Sequence, residues 1–146
     1  MYCAIDIETT GLEVGVHEIV QLAIVPLDDK LEPDAERAHI APFIRPRHPE
    51  RATRQAMETN GLVLSWLAKY GTARRFAAAA VKKYVRALHP GNTPRITPVG
   101  HNYAGFDAPF LREFLGARFY RKHFDYHVVD SMQAAKVRRV RPAGTK

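Results

Sequence analysis

The sequence predicts an α/β domain built on a mixed sheet, and three observations carry that prediction. Apolar runs of strand character come first, three of them before Pro46. Helix-type and strand-type segments then alternate towards the C-terminal end. Thr72–Leu88, alanine-rich at its centre, is long enough and regular enough for a helix. Successive early strands imply antiparallel pairing, whereas strands separated by helices imply parallel crossovers.

Each element follows from its residues. Tyr2–Glu8 ("YCAIDIE") reads as a strand buried on both faces, and Glu18–Leu27 ("EIVQLAIVPL") as a second, closed by a turn at Asp28–Asp29. Arg37–Arg45 alternates like a third strand, with Pro42 pointing to a sheet edge. Pro46–Pro49 breaks the chain, and Ala52–Leu67 reads as short helical pieces interrupted at Asn60–Gly61. The helix Thr72–Leu88 takes Thr72 as its cap, and a loop follows over His89–Thr93. Ile96–His101 is a fourth strand, Ala108–Leu115 a helix closed by Gly116, and Tyr126–Val129 a fifth strand. A last helix is expected over Met132–Val140. The sum is a five-stranded mixed sheet flanked by helices.

At 146 residues the chain is expected to be one domain. It holds no apolar run of membrane-spanning length and nothing like a secretory leader, so a soluble, cytoplasmic protein without membrane contact is expected. Cys3 is the only cysteine, which excludes an internal disulfide and a cysteine-based zinc site and suits a buried structural thiol. The net charge of +7 and pI near 9.8 point to a polyanionic partner. Arg112, Arg118, Arg121, Lys122, Lys136, Arg138, Arg139, Arg141 and Lys146 crowd the last quarter. Charge alone names no function, since a basic run is also what a solvated helical surface looks like.

The first strand contains a conflict. Asp6 and Glu8 are poor strand formers and costly to bury. At positions i and i+2 they share one face, where two carboxylates repel unless cations sit between them. Hard-oxygen ligands without cysteine suit Mg²⁺ or Mn²⁺. By itself a D-x-E pair also fits a strand end that meets water. A second block, "VGHNYAGFDAPFL" (Val99–Leu111), puts Asp107 just past a strand at the opening of a helix.

Together, "IDIETTGL", "VGHNYAGFDAPFL" and the intervening "ATRQAMETNGL" resemble the DEDD family of 3′→5′ exonucleases, over Tyr2 to about Arg139. The resemblance implies a ribonuclease-H-like fold. It also implies that Asp6, Glu8 and Asp107 are catalytic and hold two Mg²⁺ or Mn²⁺ ions roughly 4 Å apart, clamping the scissile phosphate. Backbone N–H groups of Thr9, Thr10 and Gly11 would hold the terminal nucleotide, Leu12 would wedge against its base, and Asn60–Gly61 would form the family's turn. His101, Asn102 and Phe106 would shape the far side. The implied substrate is a single-stranded DNA or RNA 3′ end, with a DNA polymerase as a candidate partner and replication or repair as the setting.

Members of that family carry a third motif, H-x(4)-D or Y-x(3)-D, that supplies a fourth carboxylate and a general base. Tyr120 and Asp125 are five apart and His127 and Asp130 three apart, so neither pair fits. Asp130 reads instead as a helix cap with Ser131. The expectation is therefore a single exonuclease-like domain over residues 1–146 that is cut short at its C-terminal end. A metal-dependent exonuclease is the first reading. The second is a catalytically impaired nucleic-acid-binding module of the same fold.

Overall fold

A computed structural model describes residues 1–91 and 94–132. Its framework is a four-stranded sheet in the spatial order Ile19–Leu27, Tyr2–Thr9, Thr97–Gly100, Val129–Asp130. The central strand β1 (Tyr2–Thr9) pairs antiparallel with β2 (Ile19–Leu27) and parallel with β5 (Thr97–Gly100). A short β6 (Val129–Asp130) extends the parallel half. The sheet is thus mixed, as the segment order predicts, but has four strands rather than five.

The third expected strand survives only in part. Ile40 and Phe43 bridge to Ile24 and Gln21 along the outer edge of β2, where Pro42 places them. The regular strand left from this segment, β3 (Ile44–Arg45), pairs instead with β4 (Thr72–Ala73) in a separate two-stranded ribbon. That ribbon corrects the expected helix start. Thr72 donates its N–H to the Phe43 carbonyl (2.9 Å), so it serves a strand and caps nothing. The long helix α3 (Arg74–Leu88) begins two residues later without a side-chain cap.

The segment after β3 breaks into a 3₁₀ turn (Pro49–Arg51), α1 (Arg54–Asn60) and α2 (Leu64–Tyr70). Gly61 separates the two helices because it sits at φ 70°, a left-handed cap that favours glycine. Beyond β5, α4 (Asp107–Leu115) ends at Gly116, and α5 (Ala117–His123) follows at once. No element is assigned to Ala117–His123 from the sequence, where the apolar period is weak among the basic residues. Its period hides an inward edge: Tyr120 and His123 are buried, and the Tyr120 hydroxyl meets that of Tyr103 (2.9 Å). The strand expected over Tyr126–Val129 is shifted to Val129–Asp130, leaving Tyr126 exposed. The expected helix over Met132–Val140 lies almost wholly outside the described residues, as do Lys136, Arg138, Arg139, Arg141 and Lys146.

The core lies on one side of β1. Cys3, Ile5 and Ile7 pack in one cluster with Ala77, Val81 and Val85 of α3 and with Phe110, Leu111 and Phe114 of α4. Burial pushes the Cys3 thiol up to about 11, which suits a structural rather than a reactive cysteine. The opposite face of β1 carries Tyr2, Ala4, Asp6 and Glu8, of which Tyr2 and Asp6 are exposed. β1 is therefore not buried on both faces, and the apparent conflict at Asp6 and Glu8 resolves: the acids occupy the face turned away from the core. No helix among the described residues is long and apolar enough to cross a membrane.

Candidate active site

Asp6 and Glu8 stand opposite Ala23 and Gln21 of β2. A register shift between Glu8 and Thr9 ends the regular ladder there and turns the chain out of the sheet. Burial first, and then the neighbouring Asp6 charge, hold the Glu8 carboxyl above its usual range. Asp107 arrives from the other side as the first residue of α4. It is only 4% exposed, and its Oδ1 has no hydrogen-bond partner. Burial, then Asp6 and more weakly Glu8, push its carboxyl up to about 7, against backbone hydrogen bonds at Asp107 and Ile7.

The three acids therefore feel one another. Among the described residues, however, no three His, Cys, Asp or Glu side chains gather at metal-ligating distance. The residues nonetheless fit a divalent cation of the Mg²⁺ or Mn²⁺ type: every donor is a hard oxygen, and one is buried and unpartnered.

The turn after Glu8 is tied down from within. Thr9 Oγ1 donates to the Gly11 carbonyl (2.6 Å), and the Thr9 carbonyl accepts from Asn60 Nδ2 (3.1 Å). Thr10 is used otherwise than expected. Its N–H donates to the Glu18 carbonyl (2.9 Å), its hydroxyl accepts from Glu18 N–H (3.0 Å), and its carbonyl accepts from Thr53 N–H (2.7 Å). With those groups spent and Thr10 1% exposed, its N–H is not available to a nucleotide. Glu18 anchors the same turn from behind. Burial alone would raise its carboxyl, but hydrogen bonds from Arg47 (3.0 Å) and His48 N–H (2.8 Å) hold it below the usual range.

Gly11 is a packing requirement. A Cβ there would lie 2.3 Å from the His17 ring, whose Nδ1 accepts from Glu13 N–H (3.0 Å). Gly11→Ala is expected to expel the imidazole and cost about 1–3 kcal/mol, as overpacking typically does. Chemical denaturation checks the cost, and the His17 ring resonances check the displacement; an unmoved ring at wild-type stability would refute it.

Glu8, Thr9, Leu12, Asn60 and Phe106 line one cleft of about 560 Å³. Leu12 stands 79% exposed, free to meet a flat ligand, and Phe106 leans on Phe110 (5.2 Å between ring centroids). Asp6 and Asp107 flank Glu8 electrostatically but do not line this cleft. Sequence reading missed Glu13, His17, Thr53, Gln55, Ala56 and Thr59 on its wall. Only the fold brings α1 against the turn after β1, and no local signal marks that meeting.

Three expected substrate contacts lie elsewhere. Gly61 caps α1, donating its N–H to the Met57 carbonyl, and lines no part of the cleft. His101 and Asn102 sit on the loop beyond β5: His101 Nδ1 meets Ser131 Oγ (3.0 Å), and Asn102 N–H donates to Asp130 Oδ1 (3.0 Å). The same Oδ1 accepts from Met132 N–H (2.9 Å), so Asp130 braces two backbone segments. The near-miss pairs are also occupied, Tyr120 with Tyr103 and His127 with Asp125 (3.0 Å).

Residues 3–138 match RNase_T, a family described as exonuclease. Sequence comparison with curated proteins finds no match. Among solved structures, the chain is similar to E. coli Exonuclease I in complex with a dT13 oligonucleotide, at 17% identity and a TM-score of 0.75, covering 99% of this chain and 31% of that one. The moderately thermophilic Exonuclease I from Methylocaldum szegediense gives 19% identity and a TM-score of 0.75 over the same shares. An ExoI/SSB-Ct complex gives 18% and 0.74, again covering 99% of this chain and 31% of that one. The chain thus spans about a third of the length of these structures, and at such identity the likeness speaks for the fold. A ribonuclease-H-like sheet, motifs at Asp6, Glu8 and Asp107, and a family match over nearly the whole chain lead to one conclusion: the chain belongs to the RNase_T exonucleases, within the DEDD group.

Proposed function

We propose that this chain hydrolyses phosphodiester bonds at single-stranded nucleic-acid 3′ ends, in the 3′→5′ direction and with divalent metal ions. The observation that carries the reading is Asp107: a buried carboxylate with an unpartnered oxygen, held near neutrality by burial and by two further carboxylates. Such an atom in a natural protein calls for an explanation, and a bound cation supplies one. Asp6, Glu8 and Asp107 would hold the ions. Bound there, a divalent ion supplies Lewis-acid stabilisation of the phosphate and a more acidic water.

The chain's own residues do the rest. Leu12 and Phe106 offer apolar walls to the terminal base, and Asn60 fixes the Thr9 carbonyl next to Glu8. Single-stranded DNA is the first substrate to test, because the structural relative described above was bound to a dT13 oligonucleotide. The test is release of mononucleotides from a 5′-labelled single strand with Mn²⁺ and with chelator. Metal-dependent shortening from the 3′ end supports the reading, and endonucleolytic or metal-independent cutting refutes it.

Metal binding is checked separately. Mn²⁺ should bind the wild type weakly and Asp6→Ala more weakly still, as read by calorimetry or by water-proton relaxation. Equal binding by the two proteins would refute a site shared by Asp6, Glu8 and Asp107.

A further inference from the structure

The cleft beside Glu8 is lined by two glutamates and by no lysine or arginine. Affinity for a nucleic acid comes chiefly from cations that neutralise phosphates, so the charge of +7 must act elsewhere. The described residues place much of it on one face. Helix α3 carries five lysines and arginines and α5 three, and neither helix contains a carboxylate.

Two grooves of about 630 and 600 Å³ run along these helices and share Lys82. Arg47, Arg74 and Arg75 line the first, Arg86, Arg118 and Lys122 the second, and no acid lines either. Arg47 and Arg74 are paired, with Glu18 and Glu113. Among the described residues, Lys82, Arg86, Arg118 and Lys122 make no ion pair. Lys82 and Arg86 both lie over the Phe119 ring, 5.5 and 5.2 Å from its centroid, so an aromatic surface orders two like charges without neutralising them. Such a one-sign groove attracts a polyanion.

Its position suits a strand that reaches the cleft. Arg47, at one end, bonds Glu18, which in turn bonds Thr10 behind the turn that follows Glu8. From Arg75 to Arg86 the α3 track is about 16 Å long, room for several consecutive phosphates.

We infer that the α3–α5 face is a second, non-catalytic contact for single-stranded nucleic acid, a phosphate track that holds the body of a strand whose 3′ end enters the cleft. The inference rests on the hydrolytic reading for the location of that 3′ end. It is tested by binding in chelator, where nothing is cleaved. The probe is an oligothymidylate of about 30 nucleotides, titrated at several salt concentrations against wild type and Lys82→Ala/Arg86→Ala/Lys122→Ala. Three lost phosphate contacts should weaken binding at least about tenfold at low salt and flatten the log–log salt slope by about 2. The triple Arg/Lys exchange, Lys82→Arg/Arg86→Lys/Lys122→Arg, keeps the charge and should retain wild-type affinity. In Mn²⁺, hydrolysis of a dinucleotide or trinucleotide, too short to reach the track, should be equal in all three proteins. Unchanged oligothymidylate affinity and slope in the alanine variant would overturn the inference and leave the face to some other polyanion. So would loss of short-substrate hydrolysis by a folded alanine variant. If the wild type hydrolyses nothing, the reading of the cleft fails, while the chelator titration still decides the track.

Discussion

Glu8→Ala should all but abolish metal-dependent release of mononucleotides from single-stranded 3′ ends while leaving the protein folded. Glu8 combines two properties at one position: it lines the cleft, and its carboxyl is coupled to Asp6. Removing it takes one anionic donor from the set that would hold the metal, and with it charge stabilisation of several kcal/mol at the phosphate. At 1.36 kcal/mol per factor of ten, the rate should fall on the order of 10³-fold or more. The assay is run with enzyme in excess of labelled strand, so that a fall of this size stays measurable. Glu8→Gln, which keeps the volume and removes the charge, should behave like Glu8→Ala. Vigorous cleavage insensitive to both would place the chemistry away from β1. Melting curves of both variants keep a folding defect from passing as a catalytic one.

The second large effect is on stability. Asp107→Asn should stabilise the metal-free protein at pH 8 and change little at pH 4. A carboxyl whose folded pKa lies above its unfolded value binds protons more readily when folded, so its presence lowers stability as pH rises from about 4 through about 7. A rise to about 7 corresponds to a cost of up to about 4 kcal/mol once the group is fully ionised, at 1.36 kcal/mol per unit. Asparagine does not ionise, and its amide can donate towards the neighbouring carboxylates. A domain of this size gains about 2–4 °C in Tm per kcal/mol. The measurement is Tm against pH in chelator for the two proteins. Added Mn²⁺ should reverse the order, raising the wild type above the variant through binding to the folded state alone. A clear loss of Tm in Asp107→Asn at pH 8 without metal would mean that the ionised carboxylate is a structural partner in the buried site.

Comparing elements shows which kinds of information are local. β1, β2 and α4 were legible because their periods are strong and their ends carry clear stops, such as Gly116 at φ 84°. The edge role of Arg37–Arg45 was legible from Pro42, but not its division between bridges to β2 and a ribbon with Thr72. Thr72 was misjudged and α5 was not read at all, for one reason. A threonine before a helix and a basic heptamer each fit two local structures, and only the partner, the Phe43 carbonyl in one case and Tyr103 in the other, decides between them.

The candidate site divides the same way. The sequence by itself determined that Asp6 and Glu8 share a face, because strand geometry alternates side chains, and that Asp107 opens a helix. The resemblance of its motif blocks also pointed to the exonuclease family that the match over residues 3–138 establishes. Tertiary structure alone decided that the acids' face is the one turned from the core, that Asp107 is buried with one carboxyl oxygen unpartnered, and that Thr10 spends its N–H on Glu18. It alone brought Gln55 and Thr59 to the cleft, left His101 and Asn102 outside it, and aligned the cations of α3 and α5 along shared grooves. The physical reason is range. Backbone alternation and helix caps act over a few residues, whereas burial, charge coupling and cleft walls depend on which distant segments the packing brings into contact.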